Sequence, residues 1–144
     1  MIQILILKFM ETQCIIPTYK YGQGLDYPDR ITISTRADIP EGQASGWVYR
    51  EKKCLIINDT ANNAIMNPWR KVAIDHGWNS LAGFPIIQHG DTYAVFSMYH
   101  SDVNFFDDEV VALITTLINN VSYALERFNL MQKFPRITHH NSRV

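Results

Sequence analysis

"NPWRKVAIDHGWNSLAGFPIIQHGDTYAVFSMYH", residues 67–100, is the stretch whose reading decides the fold. Asn67 can cap a helix whose first position is Pro68, where a missing N–H costs nothing. Trp69, Val72, Ala73 and His76 then share one helical face, and Gly77 supplies the stop. Trp78 to Ile87 and Asp91 to Tyr99 predict a hairpin around His89-Gly90. A two-residue loop pairs Gln88 with Asp91, so Phe84 is expected to face Val95, Ala82 to face Ser97 and Ser80 to face Tyr99. Leu81, Phe96 and Met98 fall on the opposite face. One face is then evenly apolar. The other mixes small hydroxyls with aromatics, a composition that leaves room for a guest.

Working outward, Ile2 to Met10 reads as a strand apolar on both faces, which implies layers above and below the sheet. Cys14 to Tyr21 is its expected hairpin partner, and "ITIST" is a further short β-branched run. "EGQASGWVYREKK" has helical spacing at Ala44, Trp47 and Val48, weakened by two glycines, with a solvated basic end at Arg50, Lys52 and Lys53. A strand from Cys54 to Ile57 ends in the loop "NDTANN". The longest helix starts at "FFDDE", where Asp107, Asp108 and Glu109 suit the dipole. Along it, Val110, Ile114, Leu117, Val121, Ala124, Phe128 and Met131 make a seam at 4-3 spacing, and Val111, Ile118 and Leu125 a second stripe. The combined apolar arc of roughly 160° is wider than docking on one sheet requires. It predicts either a partner helix or a helix sunk deeply into its own core. Hairpins mixed with helices imply an α+β fold, a central antiparallel β-sheet sandwiched by helices.

The totals fit that picture. A chain of 144 residues holds one core, expected over residues 1–133, with a polar, frayed tail at 134–144. Thirteen basic residues against fourteen acidic ones leave a net charge of −1, which disfavours nucleic-acid binding through a basic surface. The opening "MIQILILKFM" lacks the charged start and cleavage site of a signal peptide, and no run approaches the length that inserts in a membrane. Cys14 and Cys54 form no CxxC and fall in strand-like runs, where free thiols act as small hydrophobes; a cytoplasmic setting is expected.

No phosphate loop, dinucleotide fingerprint, zinc-protease motif or GxSxG elbow occurs, and the five histidines show no metal-ligand spacing outside the adjacent pair His139-His140. Catalytic residues and a metal site are therefore not expected. Asp59 closes a strand-end loop, where binding residues often sit, though a turn or cap role is the commoner one. Arg70 at a helix start opposes the dipole, which points to a salt bridge such as to Asp59, or to an anion in a pocket. Trp69 and Trp78 read as packing first; Arg70, Ser80, Ser97 and Tyr99 are the better contacts for a guest, with Asp59 and Phe84 beside them.

Residues 41–128, from "GQASGWVYREKKCLIINDT" through "PWRKVAIDHGWNS" and Phe84-Pro85 to the Phe106, Asp108, Glu109 helix start and "ALERF", resemble a GAF domain in the order of their parts. "PWR" and "VSYALERF" look most like the GAF domains that precede diguanylate cyclase and cyclic-di-GMP phosphodiesterase domains in bacteria. The resemblance implies a non-catalytic sensory or regulatory module with a pocket between sheet and overlying helices. It also implies a homodimer built on the terminal helices, which in a longer protein would continue into an output domain. The family usually opens with a helix before the first strand, and this chain opens on "MIQILILKFM". The "NKFDE" motif of cyclic-nucleotide-binding members and the cysteine of bilin-attaching members are not found, so the small-molecule ligand and any cofactor stay unidentified. Two rival functions remain: a free methionine sulfoxide reductase, which needs thiols at the pocket mouth, and a domain kept only for dimerisation, its pocket filled by Trp78 and Tyr99.

Overall fold

The computed structural model describes residues 2–9 and 15–21 as backbone and residues 33–133 in full. Five antiparallel strands form one sheet: β1 (Ile2–Phe9), β2 (Ile15–Tyr21), β3 (Leu55–Ile57), β4 (Ser80–Gln88) and β5 (Asp91–His100). Their order is β2-β1-β5-β4-β3, so the β4–β5 hairpin lies at the centre. Pro17 falls on β2, the outermost strand on that side among the described residues, next to an irregularity in its register with β1, a setting that tolerates a missing N–H. Helices α1 (Ser45–Glu51) and α2 (Arg70–His76) cover one face and the 26-residue α3 (Asp108–Lys133) the other. The predicted strand over "ITIST" reduces to a single bridge at Ser34 within the described residues, and the reading of Cys14 lies outside them.

The hairpin turns as expected. His89 and Gly90 both take positive φ, 54° and 83°, and Gln88 pairs with Asp91. Three residues on, the expected register fails. Ile87 pairs with Thr92 but Ile86 with Ala94, so Tyr93 is an extra residue in β5. Such a bulge moves every later side chain of its strand to the other face. Gly83 therefore opposes Ser97, Leu81 opposes Tyr99, and Ser80 opposes His100. Ala82, Phe84, Ile86, Ala94 and Met98 pack against Ile114 and Ile118 of α3. Leu81, Val95 and Tyr99 pack with Val48, Trp69 and Trp78 on the other side.

Local chemistry sets the helices. The helix predicted from Asn67 is split in two. A 3-10 segment over Ala64–Trp69 is capped by Asn63, whose Oδ1 accepts the Ile65 N–H at 2.9 Å, and α2 proper begins at Arg70. Gly77 ends α2 at φ 70° as predicted. In α1, Gly46 is required by close approach: a Cβ there would lie 2.0 Å from the Ser34 carbonyl oxygen. Arg50, expected to be solvated, donates to the carbonyls of Thr35 and Gly42 at 2.8 and 2.7 Å.

α3 is held at two stations. Before its first turn, Asn58 clasps Phe106 in both directions, its Nδ2 donating to the Phe106 carbonyl at 2.9 Å and its Oδ1 accepting the Phe106 N–H at 3.0 Å. Asp107 caps the helix by accepting the Val110 N–H at 2.9 Å. Farther along, Ser122 Oγ accepts the Ile87 N–H at 3.3 Å, the Ser122 carbonyl accepts from Gln88 at 2.8 Å, and Glu126 accepts the His89 N–H at 3.2 Å. Ile114 and Ile118 are buried, whereas Leu113, Leu117, Val121, Phe128 and Met131 are exposed. At about 100° per residue the exposed stripe lies roughly a quarter-turn from the docked one. No described helix is long and apolar enough to cross a membrane.

Candidate functional site

The face carrying α1 and α2 holds a small, partly enclosed cavity of about 20 Å³. Small residues at the start of α1, Ala44 and Ser45, and Val48 one turn on form its roof. Leu81, Gly83, Ser97 and Tyr99 of the hairpin form its floor, and Met66 and Trp69 of the 3-10 segment its side. A void of this size holds about one water molecule. Ligand sites usually run to roughly 300 Å³ or more. Aromatics account for the difference: Trp69 and Tyr99 are buried against the space, and Trp78 stacks between Tyr99 at 4.5 Å and His76 at 4.7 Å.

Of the residues named from sequence, Trp69, Ser97 and Tyr99 line this cavity, and Trp78 braces it from behind. Ser80 and Phe84 do not. The bulge at Tyr93 puts their expected partners Tyr99 and Val95 on the other face. Phe84 is instead buried under α3, and Ser80 Oγ donates to the Asp102 carbonyl at 2.7 Å.

Arg70 and Asp59 also stand outside it. Arg70 donates to the carbonyls of Thr60 at 3.0 Å and Asn63 at 2.9 Å, to the Ala61 carbonyl, and to Asn67 Oδ1 at 2.8 Å. Its planar fork fits converging carbonyls left by short 3-10 turns, so its partners are loop oxygens rather than the carboxylate or anion expected. Asp59 accepts from Asn62 Nδ2 at 2.7 Å. Next to them, Thr60 Oγ1 donates to the Trp78 carbonyl at 2.8 Å, which ties the loop to the aromatic stack. The rest of the lining, from Ala44, Ser45 and Val48 of the roof to Leu81 and Gly83 of the floor, was not expected from sequence to contact a guest. The run of small residues in "GQASGWV" is the signal that could have found the roof, since small side chains let a helix approach a sheet closely.

Cys54 is exposed, one residue before β3, rather than an apolar residue inside a strand. It does not line the cavity. Among the described residues no cluster of histidine, cysteine and carboxylate side chains is arranged to hold a metal. Among the described residues one histidine, His100, is buried; it lies on the α3 face, its ring 3.7 Å from that of Phe105. Its Nδ1 accepts the Asp102 N–H at 2.9 Å. Burial holds its pKa below the ordinary 6.5, against a smaller opposing pull from the Asp102 carboxylate.

The GAF family model matches residues 11–126, most of the chain. The chain belongs to the GAF family. Its sheet-and-helix architecture is shared by solved GAF structures. A domain of a protein assigned as a two-component sensor histidine kinase from Sinorhizobium meliloti 1021 superposes with TM-score 0.70 at 14% identity, over 92% of this chain and 84% of that one. A GAF domain/HD domain protein from Geobacter sulfurreducens gives 0.68 at 16% identity, over 89% and 82%. A type II free methionine-R-sulfoxide reductase from Thermoplasma acidophilum gives 0.65 at 10% identity, over 88% and 79%. At these identities the likeness is one of fold. No curated protein matches the sequence.

Proposed function

We propose that this GAF domain is a non-catalytic regulatory module that works as a homodimer through α3. The observation that carries the reading is the exposed row Leu117, Val121, Ala124, Phe128 and Met131. Its 4-3-4-3 spacing is that of a coiled-coil seam, and α3 is about 39 Å long, enough for knobs-into-holes contact over several turns. The sheet does not cover this row, because the docked side of α3 is Ile114 and Ile118 with Leu125 beside them. A second copy presenting the same row would cover it by two-fold pairing. The test is solution mass by light scattering for the parent and for Val121→Glu/Phe128→Glu. A dimeric parent and a monomeric, folded variant are expected; a monomeric parent at high micromolar concentration would sink the proposal.

In this reading the cavity beneath α1 is largely filled by its own aromatics and serves as packed core. Ligand sensing there is the second reading, supported by the hydroxyl-bearing Ser97 and Tyr99 in an otherwise apolar lining. A ligand would have to favour a more open arrangement of the roof over the closed one. Native mass spectrometry, compared with the denatured mass, separates the two. Extra small-molecule mass on the folded species supports sensing; a bare species supports the closed core.

A further inference from the structure

The α3 face holds a second and larger space. A groove of about 210 Å³ lies between α3 and β4, on the side of the hairpin next to β3. Its origin is topological. β3 pairs with β4 only from Leu81 to Gly83, so beyond Gly83 that edge of β4 has no strand beside it among the described residues. Pro85 has no N–H to offer, and the Ile87 N–H is taken by Ser122 of α3. Phe84 and Ile118, both buried, contribute an apolar floor. Thr115 and Asn119, one turn apart, bring a polar wall from the side of α3 that points away from the exposed apolar row.

Lys52 stands at the mouth with Cys54. Lys52 occupies the left-handed C-cap of α1 at φ 59°, a position that favours glycine. Its amine pairs with Asp91 at 3.5 Å, but that carboxylate is 88% exposed and the pair is readily replaced by another anion. Among the described residues Lys52 is the only charged side chain in the lining, so the groove is apolar along its floor and has an ammonium group at one end. Its volume exceeds the roughly 150 Å³ apolar cavity that accepts benzene.

We propose that this groove binds a small amphipathic carboxylate, its hydrocarbon part against Phe84 and Ile118 and its anionic head at Lys52. The inference is independent of whether α3 pairs with a second copy. Cys54 serves only as a reporter, because a guest in the groove shields its thiol.

The test is the rate of Cys54 alkylation by iodoacetamide, read by peptide mass spectrometry so that Cys14 is scored separately, with octanoate as probe and 1-octanol as its uncharged counterpart. Octanoate is expected to slow Cys54 severalfold and octanol distinctly less. Lys52→Gln should bring octanoate down to the octanol level. Thr115→Trp, a substitution at an exposed helix position that fills the groove, should abolish protection while the circular dichroism stays native. An unchanged Cys54 rate with octanoate overturns the proposal, as does equal slowing in folded Thr115→Trp. Equal protection by octanol in the parent overturns the carboxylate assignment.

Discussion

The two faces of the β4–β5 hairpin differ in a way that runs against expectation. The face under α1 and α2, which keeps only the Ser97 and Tyr99 half of the expected pocket, is filled by Trp69 and Tyr99 down to a void of about 20 Å³. The face under α3, where Phe84 from the expected pocket joins the apolar Met98, leaves a groove of about 210 Å³ and an uncovered apolar row on the helix. Side-chain composition alone does not predict free volume. What decides it is how closely the covering element can approach. α1 is short, starts with small residues and lies close enough for a Cβ on Gly83 to meet Val48 at 3.2 Å. α3 is 26 residues long and lies over a sheet whose strand β3 is only three residues long, so part of its length has no strand of that edge beneath it.

The sharpest way to break this contrast is to delete Tyr93. Without the extra residue, Ala94 to His100 would exchange faces, sending Val95 and Tyr99 toward α3. Loss of the cooperative fold is expected, seen as collapse of amide dispersion in an NMR spectrum; a native spectrum would show that the bulge can migrate. Trp69→Ala comes next. It empties a well-packed site and should cost about 3–5 kcal/mol by urea denaturation. Thr115→Ala, on the groove wall of the opposite face, should stay within about 0.5 kcal/mol in the same assay. If the two variants cost alike, the distinction between a filled and an unfilled face is wrong.

Arg70→Met tests the loop that holds the aromatic stack in place. It strips several carbonyls of a charged donor and should cost about 2 kcal/mol, seen in the urea midpoint. Smallest is the effect of His100 on the α3 side. Its folded pKa is depressed, so the unfolded chain takes up the proton first as pH drops below 6.5. The stability it contributes is present above 6.5 and is lost as pH falls through the folded value. His100→Asn retains an acceptor for the Asp102 N–H without the titration, and should flatten that part of the urea-midpoint profile against pH. An unchanged slope would place the pH dependence elsewhere.

Much of the fold is legible in the residues. The His89-Gly90 turn, the Gly77 stop and the acidic start of α3 all sit where local chemistry puts them, while Ile114, read as part of the seam with Leu117, docks instead beside Ile118. The sequence also orders the parts as a GAF domain, which the family match bears out. The bulge was not legible, because "DTYAVFSMYH" alternates acceptably in either register. Packing selects one: Thr92 Oγ1 donates to the Tyr49 carbonyl of α1, while Ala94 lies in the core beside α3. That single residue also explains why Ser97 and Tyr99 reach the cavity and Ser80 and Phe84 do not. Arg70 misled for a related reason. Its acceptors are carbonyls exposed by 3-10 turns, and a carbonyl's direction leaves no mark in the alphabet of side chains.

The two stations that hold α3 also have a mechanical consequence. The Asn58–Phe106 clasp fixes one bearing and the Ser122 and Glu126 bonds to the hairpin tip fix another. A shaft carried in two bearings resists sliding along its length, since that shears every bond at once. Because Ser122 and Glu126 lie nearer Lys133 than the clasp does, a displacement arriving from that end of α3 meets the hairpin tip at His89 before it meets Asn58.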